Sequence, residues 1–371
     1  MKIKVPLFKP YFESEEIEEI KKVLDSGWVS QGPETRLFEE DVRERTGTKY
    51  AIAVNNCTAA LHLALLAIGI KKGDEVLVAD YTYPATGHSV LYCGAKPVFV
   101  DIDSRTYNVD PVQLKKKITK RTKAIIPVHT FGQPVEMDSV LEIAEKHNLK
   151  VVEDAACAFG ARYRKKYTGT MGDIGCFSFH ARKGVTTGEG GMLVTDDESM
   201  ARTARTLSVF GITSAWDREI KGFTVPEFTM IGYNYKMSDI TAAVGVVQLK
   251  RLDSIIKKKR ALAKYWGAKL EGIPDVEPPY EEKGSLHIYQ SYVSLVRKGL
   301  DRNKLIERLA KLGVQAQIGT YASHVQPVYK SKDKCPVSKE IFNRALALPL
   351  YYDMTETQID AAAKALRSAI K

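Results

Sequence analysis

The chain has 371 residues, with 55 Lys+Arg against 45 Asp+Glu, a formal net charge of +10 and 44 % hydrophobic residues. At roughly 100–200 residues per domain this length points to two domains; with 27 % charged residues and ordinary Gly and Pro counts it excludes a collagen-like or wholly disordered chain. No run of about 18 apolar residues occurs, which argues against a membrane-spanning helix. The segment Met1 to Pro10 lacks the apolar core and small-residue cleavage site of a signal peptide. Five cysteines (Cys57, Cys93, Cys157, Cys176, Cys335) are spread out and form no C-x-x-C pair, which fits neither a disulfide framework nor a zinc site and suits a reducing, cytoplasmic setting. The basic residues fall in short separate clusters, Lys115–Lys117, Arg162–Lys166 and Lys257–Arg260. Such runs read as solvated surface, or as a preference for small anions, without calling for nucleic acid.

In chain order, short apolar runs alternate with amphipathic stretches, the pattern of an α/β domain with a mostly parallel sheet. Residues 51–54, 75–79, 97–101, 123–127 and 150–153 read as buried strands. Thr58 to Ile68 reads as a helix with Leu61, Leu65 and Ile68 on one face, and Val140 to His147 as another that stops near Asn148. Ser238 is a candidate N-cap for one long helical stretch reaching about Leu270, with Ile240, Val244 and Val247 on a shared face. After the break at Gly272–Tyr280 come a strand-like run from His287 to Val296, a helix from about Arg302 to Leu312 and a last helix from about Thr355 to Ile370. The expected division is a large α/β domain over 1–250 and a smaller α+β domain over 251–371.

Three features in fixed order carry the chemistry. Val54-Asn-Asn-Cys-Thr-Ala-Ala-Leu61 is a strand running through a polar turn into a helix. That turn either seats a phosphate on free N–H groups and the positive end of the helix dipole, or simply caps the helix through Asn56 or Thr58. Asp154 closes the apolar strand Val151-Val-Glu-Asp154, at the sheet edge where ligands of such folds bind. A carboxylate there either keeps a cofactor ring nitrogen protonated or caps the next element. Lys183 lies in Cys176-Phe-Ser-Phe-His-Ala-Arg-Lys-Gly-Val-Thr-Thr-Gly-Glu-Gly-Gly191, between an aromatic strand end and a Gly/Thr-rich turn. A lysine that forms a Schiff base must lose its proton readily, and a shaped, partly buried loop suits that better than open surface.

With these residues in view, the chain resembles the DegT/DnrJ family of sugar aminotransferases dependent on pyridoxal 5'-phosphate (PLP). The resemblance runs through Ser26-Gly-Trp-Val-Ser-Gln-Gly-Pro33, the block from Asn56, Thr82-Tyr-Pro-Ala-Thr86, His129-Thr-Phe-Gly-Gln-Pro134, Glu153–Ala161, the Lys183 block, Gly232–Ala243 and Leu348-Pro-Leu-Tyr351. It implies the type I fold of PLP enzymes, with a mostly parallel central sheet in the large domain and a smaller α+β domain. It implies Lys183 as the lysine of the internal aldimine and proton shuttle, and Asp154 as the partner of the pyridine nitrogen. Tyr83 would stack on the ring, Cys157 would stand beside it, and Thr58, Ala59 and Ser178 would bind the phosphate. Asn234 would reach the phosphate of a neighbouring subunit, making a homodimer with shared sites.

His324 and Gln326 resemble a segment near the sugar pocket, Trp28 is a further candidate for substrate contact, and His180 either faces the sugar or holds its loop. Cys157 stands where the family usually has Gln or His, and the turn reads Asn-Cys-Thr where Ser-Gly-Thr is commoner. Lysine at 183 favours transamination over the dehydratase branch, which has histidine. The Ser-Phe-His and Thr-Thr-Gly-Glu-Gly-Gly segments resemble members that aminate C4 of 4-keto nucleotide sugars with L-glutamate as donor, in a ping-pong cycle. The alternatives are a C3-keto sugar or cyclitol ketone as acceptor, or a non-catalytic regulatory protein on the same fold. No metal is implied, and a depressed Lys183 pKa is expected of a base.

Overall fold

The computed structural model describes residues 3–212 and 225–371. Seven strands form the central sheet: β1 (Tyr50–Val54), β2 (Glu75–Ala79), β3 (Lys96–Val100), β4 (Thr122–Ile126), β5 (Lys150–Asp154), β6 (Ile174–Ser178) and β7 (Gly191–Thr195). Their order is β1-β7-β6-β5-β4-β2-β3. β7 alone runs against its neighbours, so the sheet is mostly parallel as expected. The ends of β5 and β6, Asp154 and Ser178, come to the same edge as the end of β1, because Val54 pairs with Gly191 and Gly191 with Ser178.

The helix Cys57–Ala67 starts one residue before the expected position, capped by Asn56, whose side chain accepts from the Ala59 N–H. It is buried on nearly all sides, Leu61 and Leu65 but also His62, Leu63 and Ala64. The reason is that the sheet covers one side while the helices Pro84–Tyr92 and Glu198–Ser208 cover others. The helix Met137–His147 ends at Asn148 in the left-handed region, as its sequence suggests. The expected helix from Ser238 to Leu270 is two, Asp239–Lys250 and Leu252–Leu270. Ser238 caps the first by accepting from the Thr241 N–H, and the break falls at Arg251, whose guanidinium is drawn away to Glu13, Glu15 and Glu16.

A second, antiparallel sheet follows: β8 (Val276–Glu277), β9 (Tyr292–Val296), β10 (Gln317–Ile318) and β11 (Ala345–Leu348), in the order β8-β9-β11-β10. The strand expected from His287 begins only at Tyr292, since Tyr289 adopts a left-handed φ of 47° that no strand tolerates. The helices Leu252–Leu270, Arg302–Lys311 and Glu356–Ile370 close a separate apolar core around Trp266 and Tyr292. Val5, from the other end of the chain, packs into that core and bridges to Val314. All five cysteines are free, and no described helix is long and apolar enough to cross a membrane.

Candidate active site

Asp154 is buried at the end of β5. Its Oδ2 accepts from the Thr86 hydroxyl at 2.7 Å and its Oδ1 from the Ala156 N–H at 3.1 Å. Burial pushes this carboxyl above its ordinary range; the bonds from Thr86 and Ala156 and the charge of Lys183 pull it back only in part. Such a carboxylate gains from a cation placed against it.

Lys183 is held by a closed turn. Its N–H donates to the His180 carbonyl at 2.8 Å, the Ala181 N–H to Gly188, and the Phe179 N–H to Gly190. Lys183 Nζ donates to Cys157 Sγ at 3.0 Å. Burial alone would push this ammonium down, but Cys157, Cys57 and Asp154 outweigh it and hold it above the usual lysine value. The expectation of a depressed Lys183 is therefore reversed for the protein's own groups. The cause is the Sγ contact, which linear sequence does not reveal across 26 positions.

The turn after β1 takes up the capping role that its sequence left open and keeps donors that would suit the other. Asn56 caps the helix, yet the N–H groups of Cys57 and Thr58 receive no partner from the described residues, as expected of a first helical turn. Gly191 is what lets this turn lie against β7. A Cβ there would stand 2.4–2.6 Å from Asn56 C, Asn56 O and Cys57 N, all backbone atoms that cannot give way. Ser178, at the end of β6, is nearly buried, and its hydroxyl accepts from the His180 N–H at 3.4 Å.

The remaining expected residues have contacts of their own. Tyr83 is 67 % exposed and caps the helix Pro84–Tyr92; its ring stands edge-on to Tyr321 at 6.2 Å. Residues 321–322 pair with 81–82, which brings His324 and Gln326 up beside that stretch. His324 Nδ1 lies 2.7 Å from Asp80 Oδ2, and its N–H donates to Asp80 Oδ1 at 2.6 Å. Gln326 Nε2 donates to the Ala322 carbonyl at 3.1 Å. His180 keeps its ring within its own turn: Nδ1 accepts from the Arg182 N–H and Nε2 lies 3.6 Å from Glu189. Asn234 is exposed, accepting from Lys236 Nζ at 2.7 Å. Trp28 is 62 % exposed.

Sequence reasoning passed over several supports. Asp239, inside the Gly232–Ala243 block, accepts from the N–H groups of Gly32, Glu34 and Thr35 and caps the helix Pro33–Thr46, so two of the blocks quoted above hold each other. Glu153 accepts from His129 Nε2 and from the N–H groups of Gly169, Met171 and Gly172. His129 Nδ1 accepts from the Val135 N–H, so its proton sits on Nε2 and points at Glu153. Thr86 was visible only as part of a motif; its partner is Asp154.

One carboxylate short of positive partners, one amine beside it and free N–H groups at a helix start form a donor set that fits a pyridine nitrogen, a carbonyl carbon and a phosphate. Comparison with known proteins agrees. The profile of the DegT/DnrJ/EryC1/StrS aminotransferase family matches residues 10–367. The chain is 38 % identical to the spore coat polysaccharide biosynthesis protein SpsC of Bacillus subtilis, covering 99 % of this chain and 97 % of that one. It is 38 % identical to the GDP-perosamine synthase of Escherichia coli O157:H7, covering 96 % and 95 %. It superposes on the putative sugar aminotransferase Spr1654 of Streptococcus pneumoniae in its PLP form with a TM-score of 0.92 at 28 % identity, covering 99 % and 98 %. Fold, site and likeness converge: the chain belongs to the DegT/DnrJ/EryC1/StrS aminotransferase family and is a PLP-dependent sugar aminotransferase.

Proposed function

We propose that this enzyme moves an amino group from L-glutamate to C4 of a 4-keto-6-deoxyhexose carried on a nucleotide, in two half-reactions of a ping-pong cycle. The observation that carries the reading is the Lys183 nitrogen held in a closed turn against Cys157, within electrostatic reach of Asp154. Bound PLP supplies the electron sink for a carbanion beside nitrogen. Asp154 would hold its ring nitrogen, Thr58, Ala59 and Ser178 its phosphate, with Tyr83 and Cys157 beside the ring. Lys183 Nζ accepts a proton from the donor's α-carbon in the first half-reaction and returns one to the sugar carbon in the second. It can accept only as a neutral amine, so its upward-shifted ammonium must first be relieved of the neighbouring negative charge.

Trp28, His324 and Gln326 are assigned to the sugar side, and Asp80 fixes which His324 nitrogen is turned away from it. His180, bonded within its turn, is assigned to keeping Lys183 in place. Exposed Asn234 suits a contact made across a subunit boundary, so the working unit is taken as a cytoplasmic homodimer with shared sites. The division at about residue 250, with the cofactor on the first part, belongs to the same reading. Two relatives named GDP-perosamine synthase support a nucleotide-linked amino sugar as the product. Incubation with glutamate and a panel of 4-keto and 3-keto UDP-, GDP- and dTDP-sugars, with products read by mass spectrometry, tests it. Amination of a 3-keto sugar or a cyclitol ketone in preference to every 4-keto sugar would overturn the regiochemistry.

A further inference from the structure

Lys183 Nζ and Cys157 Sγ stand 3.0 Å apart, an amine and a thiol in hydrogen-bond contact. The reaction above needs the amine and gives the thiol no chemical step. Cys157 lies three residues past the end of β5, and Lys183 sits in the turn that follows β6. These two strands pair side by side, so the contact is set by the sheet and by the closed turn. Both residues keep part of their surface exposed, which leaves an approach for a molecule as small as a peroxide. Cys57, Cys176 and Cys335 are buried, and among the described residues no other cysteine sulfur receives a hydrogen bond from an amine.

We propose that Cys157 and Lys183 form an oxidative modification site, at which hydrogen peroxide joins Sγ to Nζ whenever that nitrogen is not engaged by the cofactor. The linked lysine then receives no cofactor until a thiol reduces the link. This deepens the aminotransferase reading and rests on Lys183 being the lysine that holds the cofactor. The chemistry balances in two steps. Sulfur attacks a peroxide oxygen, the O–O bond breaks, the thiol becomes a sulfenic acid and water leaves; sulfur gives up two electrons and peroxide takes them. Lys183 Nζ then attacks Sγ, an N–S bond forms, the S–O bond breaks, and the hydroxyl leaves as water with a proton from the amine. The product is a sulfenamide, lighter than the starting pair by two hydrogen atoms. Two equivalents of a thiol return Cys157 and Lys183 and leave as a disulfide. The first step prepares the second: burial pushes the Lys183 ammonium down, and Cys157 does most to hold it up. A neutral sulfenic acid withdraws that support, and the ammonium gives up the proton that occupies its lone pair. Cys57 lies within electrostatic reach of both groups and is the rival partner for an oxidised Cys157.

The test treats the cofactor-loaded enzyme, and the same full chain stripped of cofactor, with hydrogen peroxide and maps the peptides by mass spectrometry. The stripped chain should yield a peptide pair joined through residues 157 and 183, lighter than the sum of the two by two hydrogens. The loaded enzyme should not. Cofactor uptake, read by visible absorbance, should fall in step with the linked fraction and return after dithiothreitol. Lys183→Ala should show oxygen added at Cys157 and no link, and Cys157→Ser should take up as much cofactor after peroxide as before it. Absence of the link from the stripped chain would overturn the proposal. So would a Cys57–Cys157 disulfide in its place, or a link formed equally in the loaded enzyme. If Cys157→Ser does not fold, Lys183→Ala and the wild-type map decide alone. Borohydride trapping of the loaded enzyme that places the cofactor on a lysine other than 183 would defeat the underlying reading instead, whatever the peroxide does.

Discussion

Glu153 and Asp154 are neighbours on β5, both carboxylates and both buried, yet their surroundings differ in kind. Glu153 receives His129 Nε2 and three backbone N–H groups at 2.6–2.9 Å, and ties β5 to the turn 169–172. Asp154, on the opposite face of the sheet, receives one hydroxyl and one N–H, and burial pushes it upward. A buried carboxylate with its donors complete is committed to the fold; one left short of donors keeps capacity for a ligand. The same contrast separates Lys183, whose bonding is to a thiol, from Arg205, paired with buried Glu39 at 2.7 Å.

The largest effect should fall on the ligand side of this divide. Lys183→Ala should cut amino transfer by about 10⁴-fold while the melting temperature stays near that of the wild type, since the side chain makes one weak bond. Turnover at the wild-type rate would remove Lys183 from its role. Asp154→Asn keeps the shape and removes the charge. Activity should drop by about 10²-fold or more, whereas the cofactor-free protein should hold its stability at neutral pH, because ionising Asp154 there costs the fold. On the structural side the pattern inverts: Glu153→Gln should lose about 3 kcal/mol of stability by setting an amide against donors arranged for a carboxylate. A chemical denaturation series of D154N against E153Q breaks the comparison if both variants lose stability alike.

Smaller effects sharpen it. His324→Ala should raise KM for the nucleotide sugar about tenfold and leave KM for glutamate within about twofold, the measure of one hydrogen bond to one substrate. Equal rises for both substrates would take His324 off the sugar side. His287 is buried beside Tyr289 and accepts its N–H at Nδ1; burial pushes it down to about 3. The unfolded chain takes up that proton near pH 6.5 and the folded one only near 3, so stability falls as pH drops across this window. His287→Asn keeps an acceptor without the titration, and its stability should depend less on pH between 6.5 and 3.

Much of the centre was legible because it is local. Lys183, Asp154 and Asn56 each stand at a strand end or turn that composition marks within ten residues, and the Ser238 cap announces itself the same way. What sequence could not show are partners far apart in the chain. Lys259 meets Gln290, Gln290 meets Arg182 across 108 positions, and Thr86 meets Asp154 across 68. The break at Arg251 has no Gly or Pro to mark it, and the Glu13, Glu15 and Glu16 carboxylates that hold its guanidinium lie at the other end of the chain. The direction of the Lys183 shift escaped for a like reason, because nothing in the spacing puts Cys157 on Nζ.

Gly191 carries a consequence of its own. The contact it permits, between β7 and the Asn56–Cys57 peptide, is made of main chain on both sides, with no rotamer to adjust and no side chain to trim. Contacts made by side chains can be retuned by substitution. This seam cannot, because a single added methyl group has nowhere to go except by lifting the whole start of the helix away from the sheet. The start of the helix is therefore fixed in position by the absence of one carbon atom, beside the strand ends that carry Asp154 and Ser178.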